Sequence, residues 1–454
     1  MADDIPKILA QTWVDKDKEH FLHGMMPIDV FARDGSTLYM DEAHGMILKD
    51  IYGKEYIDAT AGAISVNVGY SRREVAEAVY EQMTKQSFCP CYSGWVSVKQ
   101  IEFVDRLAEF TPEGLKRFFL CSGSGSEAVD SAIKLSRFYW QVQGKGEKKS
   151  KIISREHAYH GTNIGSGSCT GMPAFHKLIG PLLQDVIRIP SPYCYRCFWG
   201  KKYPDCNLEC AKALEEAIEH AGEDTVATFI GEPILGAGGI IPPPPEYWPE
   251  VRRICTKHDI LYIDDEVMTG FGRTGKNFAI EHWGVKPDIM LMSKGIISSA
   301  LPFSAIALSD EVYKRIVGPE QFPQLYTTSG HPVACAAALK NLEILIRENL
   351  VSNSAKVGKY LFDQLQQFTE LPYFAEARGL GLFCSLEIVK DKATKAPYDS
   401  SVYPKLLQKG RELGLIFRIY GTSIMLAPVL TVTTDDIDKI LGILKEVVKE
   451  LEKC

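Results

Sequence analysis

The sequence predicts an α/β protein with a large domain on a mainly parallel sheet and a smaller α+β domain. Three observations carry this. Short apolar runs (KIIS, DVIRI, TVATFIGEP, ILYIDDEV, IMLMSKG, FSAIALS) alternate with helical patterns such as CAKALEEAIEHA and YWPEVRRICTKH, and such alternation builds a mainly parallel sheet covered by helices on both faces. After about residue 331 the pattern changes to a long amphipathic helix, CAAALKNLEILIREN, followed by strand-like runs and a last helix. A chain of 454 residues is also too long for one compact core. The expected division is residues 1–65 as an N-terminal segment on the small domain, 66–330 as the large domain, and 331–454 as the small domain.

Composition excludes several classes. With 45% hydrophobic and 24% charged residues, the chain reads as an ordinary globular protein. A net charge of -7 without long runs of one sign argues against nucleic acid or an anionic membrane as main partner. No apolar stretch approaches the roughly 20 residues of a membrane span. The start, MADDIPKILAQTWVDKDKEH, lacks the pattern of a signal or transit peptide. The 12 cysteines then read as reduced thiols in a cytoplasmic protein.

In chain order, Ala10 to Phe21 reads as a helix broken at Gly24 and Pro27. STLYMDEAHGMILKDIYGKEYIDAT alternates like a hairpin or meander, too small to stand alone, so it packs on a later part of the chain. AGAISVNVGYS is a small-residue loop that can pass close to a ligand. Helical spacing follows over 73–84 and 99–110. Phe118 to Cys121 reads as a buried strand, SGSGS as a turn, and Glu127 onward as a helix with Ala128, Ala132 and Leu135 on one face. Strand, Gly/Ser turn and helix together offer backbone N–H groups and a positive dipole end to a phosphate. Gly125 permits close approach, and Ser124 and Ser126 add hydroxyls.

Ligands bind beyond the carboxyl ends of strands in such sheets. Glu232, Asp265 and Lys294 each end a strand, and His157, Tyr159 and His160 follow another. This is the set that pyridoxal 5'-phosphate needs: an amine for the aldehyde, an acid at the pyridine nitrogen, a phosphate cradle and a ring to stack on. Lys294, in SKG, is the Schiff-base candidate, its pKa expected to fall toward neutrality. Asp265 is the acid, although Asp264 next door could take either part. Gly125 and Ser126 form the cradle, and Tyr159 is the stacking ring.

The motifs GSEAVDSAIK (125–134), HAYHG (157–161), GEPILGAGG (231–239), DEVMTGFGRTG (265–275), SKG (293–295) and TTSGHP (327–332) together resemble those of class III aminotransferases. These are pyridoxal phosphate enzymes of fold type I, with a mainly parallel seven-stranded sheet in the large domain. The resemblance runs from about residue 20 to the C-terminus. It implies that Lys294 also shuttles the proton, and that Ser124, His160 and Val267 join the cofactor site. It makes Glu232 a supporting acid near the substrate. Thr327 matches a threonine that reaches the phosphate of the neighbouring subunit's cofactor, implying a homodimer with shared sites or a tetramer. Arg418 matches a mobile arginine that binds a substrate carboxylate and swings away for an uncharged amine, which suits a guanidinium's bidentate fork. The activity implied is transfer of an amino group from an ω-amino acid or primary amine to a 2-oxo acid, most readily pyruvate. An aminomutase, an amino-acid epimerase or a decarboxylase is the alternative on the same scaffold.

Two positions depart from the family pattern. Ile64 stands where a bulky aromatic is frequent, a smaller apolar pocket wall, and Gly123 stands where asparagine is usual. PYCYRCFWGKKYPDCNLEC places Cys194, Cys197, Cys206 and Cys210 close to four-ligand zinc spacing. The proposed catalysis needs no metal, and the expectation is free thiols, with a metal site or disulfides as the alternatives.

Overall fold

The computed structural model describes residues 4–453. A seven-stranded sheet runs in the order Leu115–Leu120, Ala305–Ser309, Ile289–Met292, Leu261–Asp265, Val226–Gly231, Lys151–Arg155, Val186–Ile189. Ala305–Ser309 is antiparallel to both neighbours, and every other pairing is parallel. The central strands are buried on both faces: each residue of Val226–Gly231 and of Ile289–Met292 is inaccessible. This is why their sequences run apolar without alternation.

The helix Gly125–Val142 starts two residues before the expected Glu127, and the preceding strand is Leu115–Leu120 rather than Phe118 to Cys121. Glycine weakens a helix interior but fits a first turn, where no side chain has to pack. The spans 73–84 and 99–110 form Arg73–Lys85 and Val98–Phe110. Both pack on Pro332–Arg347, which opens with proline at its first position, where the missing N–H costs nothing.

The meander forms three antiparallel strands, Met40–His44, Ile47–Asp50 and Glu55–Asp58. Glu55–Asp58 pairs in parallel with Leu415–Ile416, so the two ends of the chain share a sheet. A third sheet is antiparallel, in the order Phe374–Gly379, Cys384–Ile388, Ser423–Leu426, Arg418–Tyr420. The run FAEARGLGLFCSLEIV breaks into two of these strands at Gly379 and Gly381, both at positive φ. The helix Thr434–Val448 closes the chain. Thr433 and Asp436 form a reciprocal capping box, and Ile437, Ile440, Leu441, Leu444, Val447 and Val448 are buried, the spacing of one apolar helical stripe. Among the described residues no helix is long and apolar enough to cross a membrane.

Candidate active site

Lys294 follows the buried strand Ile289–Met292 and takes a left-handed conformation, φ 46°. That turn directs its side chain away from the strand's path. It is held from both sides: Ser293 Oγ donates to the Phe303 carbonyl at 3.0 Å, and Asn341 Nδ2 donates to the Gly295 carbonyl at 2.9 Å. Residue 295 has to be glycine, since a Cβ there would lie 2.5 Å from Asn67 Nδ2. Lys294 is partly exposed, yet desolvation among its protein neighbours lowers its amine from 10.5 to about 8, against the opposing pull of Asp265 and Glu232.

Asp265 ends the adjacent strand and is 2% exposed. Its Oδ1 accepts the Val267 N–H at 3.1 Å, and its Oδ2 lies 2.6 Å from His160 Nδ1. An ionised carboxylate at that distance requires the proton on Nδ1. His160 therefore stands behind the carboxylate and fixes its orientation. The two neighbouring acids differ in the direction they face. Successive strand residues face opposite sides, and Asp264 points to the other face, where Tyr262 donates to it at 3.1 Å. Burial, and Glu266 after it, raises Asp264 well above the usual carboxylate range.

The Gly/Ser turn lies beside this pair. A Cβ on Gly125 would sit 2.9 Å from Val267 Cγ1, so the helix start can press against the strand end only as glycine. Ser124 is the N-cap and makes no side-chain capping bond; the Glu127 N–H goes to the Ser124 carbonyl at 3.1 Å, which leaves the Ser124 hydroxyl and the Gly125 and Ser126 N–H groups for an anion. Ser126 Oγ accepts the Thr162 N–H at 3.2 Å. Gly123 donates its N–H to Glu127 Oε2 at 2.7 Å, and Ser122 does so at 3.2 Å. Residue 123 thus serves through its backbone, and no side chain is called for there.

Tyr159 is half-buried, edge-on to Phe175 with centroids 5.1 Å apart. Its N–H donates to Glu232 Oε1 at 3.0 Å, while Glu232 Oε2 takes the Gly236 N–H at 2.8 Å. Glu232 is therefore a brace between two loops. Burial raises its carboxyl pKa. Arg418 is exposed, and its Nη2 donates to the Gly62 carbonyl at 3.0 Å. Ile64 is 2% exposed and packs with Ile234, Ile240, Phe383 and Met425; in a single chain it is core rather than an open wall. Thr327 is exposed in the turn 327–330, and the next residue, Thr328, bonds Ser122 Oγ at 2.7 Å.

Sequence reasoning overlooked Glu127, Asn67, Gly161 and Thr328. Glu127 ties down two N–H groups of the turn. Gly161 lies against Ser126, where a Cβ would come 2.4 Å from its Oγ. Glu127 lies in GSEAVDSAIK and Gly161 in HAYHG, and Gly125-Ser126-Glu127 was the available signal. Asn67 lies in the loop AGAISVNVGYS and Thr328 in TTSGHP, but their partners, Phe271 and Ser122, are 204 and 206 residues away, and only the fold pairs them.

A lowered-pKa amine, a pinned carboxylate and a glycine-lined helix start thus meet at one rim of the sheet. Residues 30–448 match the family model for class III aminotransferases. The chain belongs to the class III aminotransferases. Enzymes of this family are pyridoxal phosphate-dependent. This aminotransferase is 37% identical over 442 residues to the diaminobutyrate–2-oxoglutarate transaminase of Halomonas elongata, covering 94% of each chain. It is 34% identical to the putrescine–pyruvate aminotransferase of Pseudomonas aeruginosa, covering 98% of each. Among solved structures, the thermostable (S)-enantioselective omega-transaminase of Thermomicrobium roseum matches with a TM-score of 0.93 and 40% identity, over 97% of this chain and 98% of that one.

Proposed function

We propose that this aminotransferase holds pyridoxal 5'-phosphate on Lys294 and moves an amino group from an ω-amino acid or primary amine to a 2-oxo acid, pyruvate being the acceptor. The observation that carries the reading is Asp265, buried between His160 and the low-pKa amine of Lys294. The residues fit the cofactor. Gly125 and Gly161 sit where a Cβ would collide with Val267 and Ser126, so the helix start closes on the strand end and on the loop at Gly161, and the N–H groups of that start, with Ser124 and Ser126, would receive the phosphate.

When bound, the cofactor supplies an aldehyde that captures amines and a protonated ring that withdraws electrons from the substrate's α-carbon. The protein does the rest. Asp265 would pair with the ring nitrogen and favour its protonated form, with His160 holding the carboxylate in line. Tyr159, its backbone set by Glu232, would offer its ring to the cofactor's face. Lys294 Nζ would hold the cofactor's aldehyde and, when free as an amine, would accept and return a proton at Nζ. Its pKa of about 8 lets it do both near neutral pH. Arg418 needs to give up one carbonyl contact to meet a carboxylate.

The acceptor is suggested by the putrescine–pyruvate relative. Two sites shared across a homodimer suit the exposed Thr327, and a cytoplasmic location suits the many unpaired cysteines. The proposed cofactor-binding unit, 66–330, contains all seven strands of the large sheet. Purified protein should be yellow and should form alanine from pyruvate with a panel of primary amines and ω-amino acids. Cofactor-loaded protein that converts one amino acid without any 2-oxo acid, by racemisation, amino migration or loss of carbon dioxide, would replace transamination with the alternative chemistry.

A further inference from the structure

Between the strand Val186–Ile189 and the helix Glu209–Ala221, residues 190–208 form neither helix nor strand. A stretch this long inside a compact domain needs something to hold it. Its outer contacts reach the C-terminal sheet: Tyr193 and Arg196 both bond Glu387, at 2.6 and 2.8 Å. Its own interior is different. Cys194, Cys197, Cys206 and Cys210 all line one cavity of about 20 Å³, a space for a single water-sized occupant. All four thiols are unbridged.

We propose that Cys194, Cys197, Cys206 and Cys210 form a structural binding site for one thiophilic divalent cation, zinc. The catalytic reading above does not use these residues. Zinc takes four thiolates in a tetrahedron, and C-x2-C followed by C-x3-C is a spacing that supplies them. The second pair straddles a helix start, with Cys210 in the first turn of Glu209–Ala221, where the positive dipole end favours a thiolate. Lys201 and Glu209, paired at 2.7 Å, also line the cavity and add no net charge to it.

A free cysteine side chain is a thiol rather than a thiolate at neutral pH. Each Zn–S bond therefore replaces an S–H bond, four protons leave to solvent, and no electrons move. The metal-free sulfurs are spread. Among the described residues, the group of three ligand atoms already within 4.8 Å is Glu215, Glu219 and His258, where Lys257 already neutralises Glu215. Loading draws the turn at Cys194, which is exposed, onto Cys206 and Cys210. That clamps Tyr193 and Arg196 on Glu387. Glu387 in turn bonds Arg378, which donates to the Gly239 and Ile240 carbonyls at 3.0 Å, next to the loop that carries Glu232.

The test uses the full-length holoenzyme, purified with a reductant and without chelator from zinc-supplemented medium. Elemental analysis should find about one zinc per chain, and cobalt exchanged into the site should show the charge-transfer bands of a tetrahedral thiolate centre. Cys197→Ser and Cys210→Ser should each reduce zinc to below about a tenth of an equivalent and lower the melting temperature, while colour and turnover at 25 °C persist. If a variant does not fold, stripping and restoring zinc in the wild type should reversibly lower and recover that temperature. Less than a tenth of an equivalent in the wild type would overturn the proposal. So would zinc retained by Cys210→Ser, iron in its place, or native disulfides among the four cysteines.

Discussion

The pKa of Lys294 makes a prediction whose size can be worked out. An amine captures an aldehyde only when neutral. At pH 7 an amine with a pKa of about 8 is about 10% neutral, whereas one at 10.5 is about 0.03% neutral, a gain of about 300-fold. Stopped-flow mixing of cofactor-free protein with pyridoxal phosphate should therefore give a capture rate that rises about tenfold per pH unit and levels off above about 8. Asp265 and Glu232 both oppose the lowering, Asp265 more strongly. Asp265→Asn should move the break to lower pH, and Glu232→Gln should move it less in the same direction. Linkage carries the same sign. Between about 8 and 10.5 the unfolded chain holds a proton that the folded, cofactor-free chain has lost, so stability should rise with pH across that window. Lys294→Ala supplies the baseline, with no colour and turnover down by at least about a hundredfold. A break near 10.5, or an upward shift in Asp265→Asn, would refute the account of burial against charge.

Other substitutions test other parts of the site. Arg418→Ala should lower kcat/KM for the 2-oxo acid by about 10- to 100-fold, the worth of a lost charged hydrogen-bond pair, and leave the half-reaction with an uncharged amine within about twofold. Gly125→Ala forces a methyl to 2.9 Å from Val267 Cγ1. Overpacking of this kind costs about 1–3 kcal/mol, so equilibrium titration should show cofactor affinity falling by about 5- to 150-fold. Ile64→Trp places a large ring in a site that is 2% exposed; urea denaturation should show a loss of about 1–3 kcal/mol.

What the sequence disclosed follows from how local the signals are. Lys294, Asp265 and Gly125 each sit where an apolar run stops, and a stop in a buried strand is visible in one dimension. The helix start was displaced by two residues because glycine and serine read as turn while already taking helical geometry. Asp264 and Asp265 could not be separated by charge or neighbours. Their difference is the parity of a pleated strand, and it became visible once Tyr262 was seen bonding Asp264 on the far face. Glu232 reads as a strand-end acid, but both of its oxygens are occupied by backbone N–H groups from loops that only the fold brings together. The four cysteines showed their spacing in the sequence, while their common cavity required the path of the chain between them.

The same contrast explains why the two ends of the chain are needed beside the large sheet. Arg273, in the motif that begins with Asp265, is fully buried. Its Nη1 donates to the Leu382 and Pro428 carbonyls, and its Nη2 to Asn67 Oδ1 at 2.9 Å. Asn67 in turn donates to the Phe271 carbonyl at 2.8 Å and stands against Gly295, one residue from the amine. One guanidinium thus joins the N-terminal loop, the C-terminal segment and the backbone beside Lys294. Burial lowers its pKa to about 9, so the acceptors around it have to replace much of the water it lost. A lysine carries charge but has no planar fork, and cannot meet all three acceptors from one position. Arg273→Lys should therefore cost at least one charge-assisted hydrogen bond, about 2 kcal/mol in urea denaturation. It should also speed cofactor loss from the holoenzyme, because Asn67 would no longer be held against Gly295. A variant that loses stability but retains cofactor at the wild-type rate would separate the fold's cross-brace from the site. A variant unchanged in both would show that the three segments are fixed by their apolar packing alone.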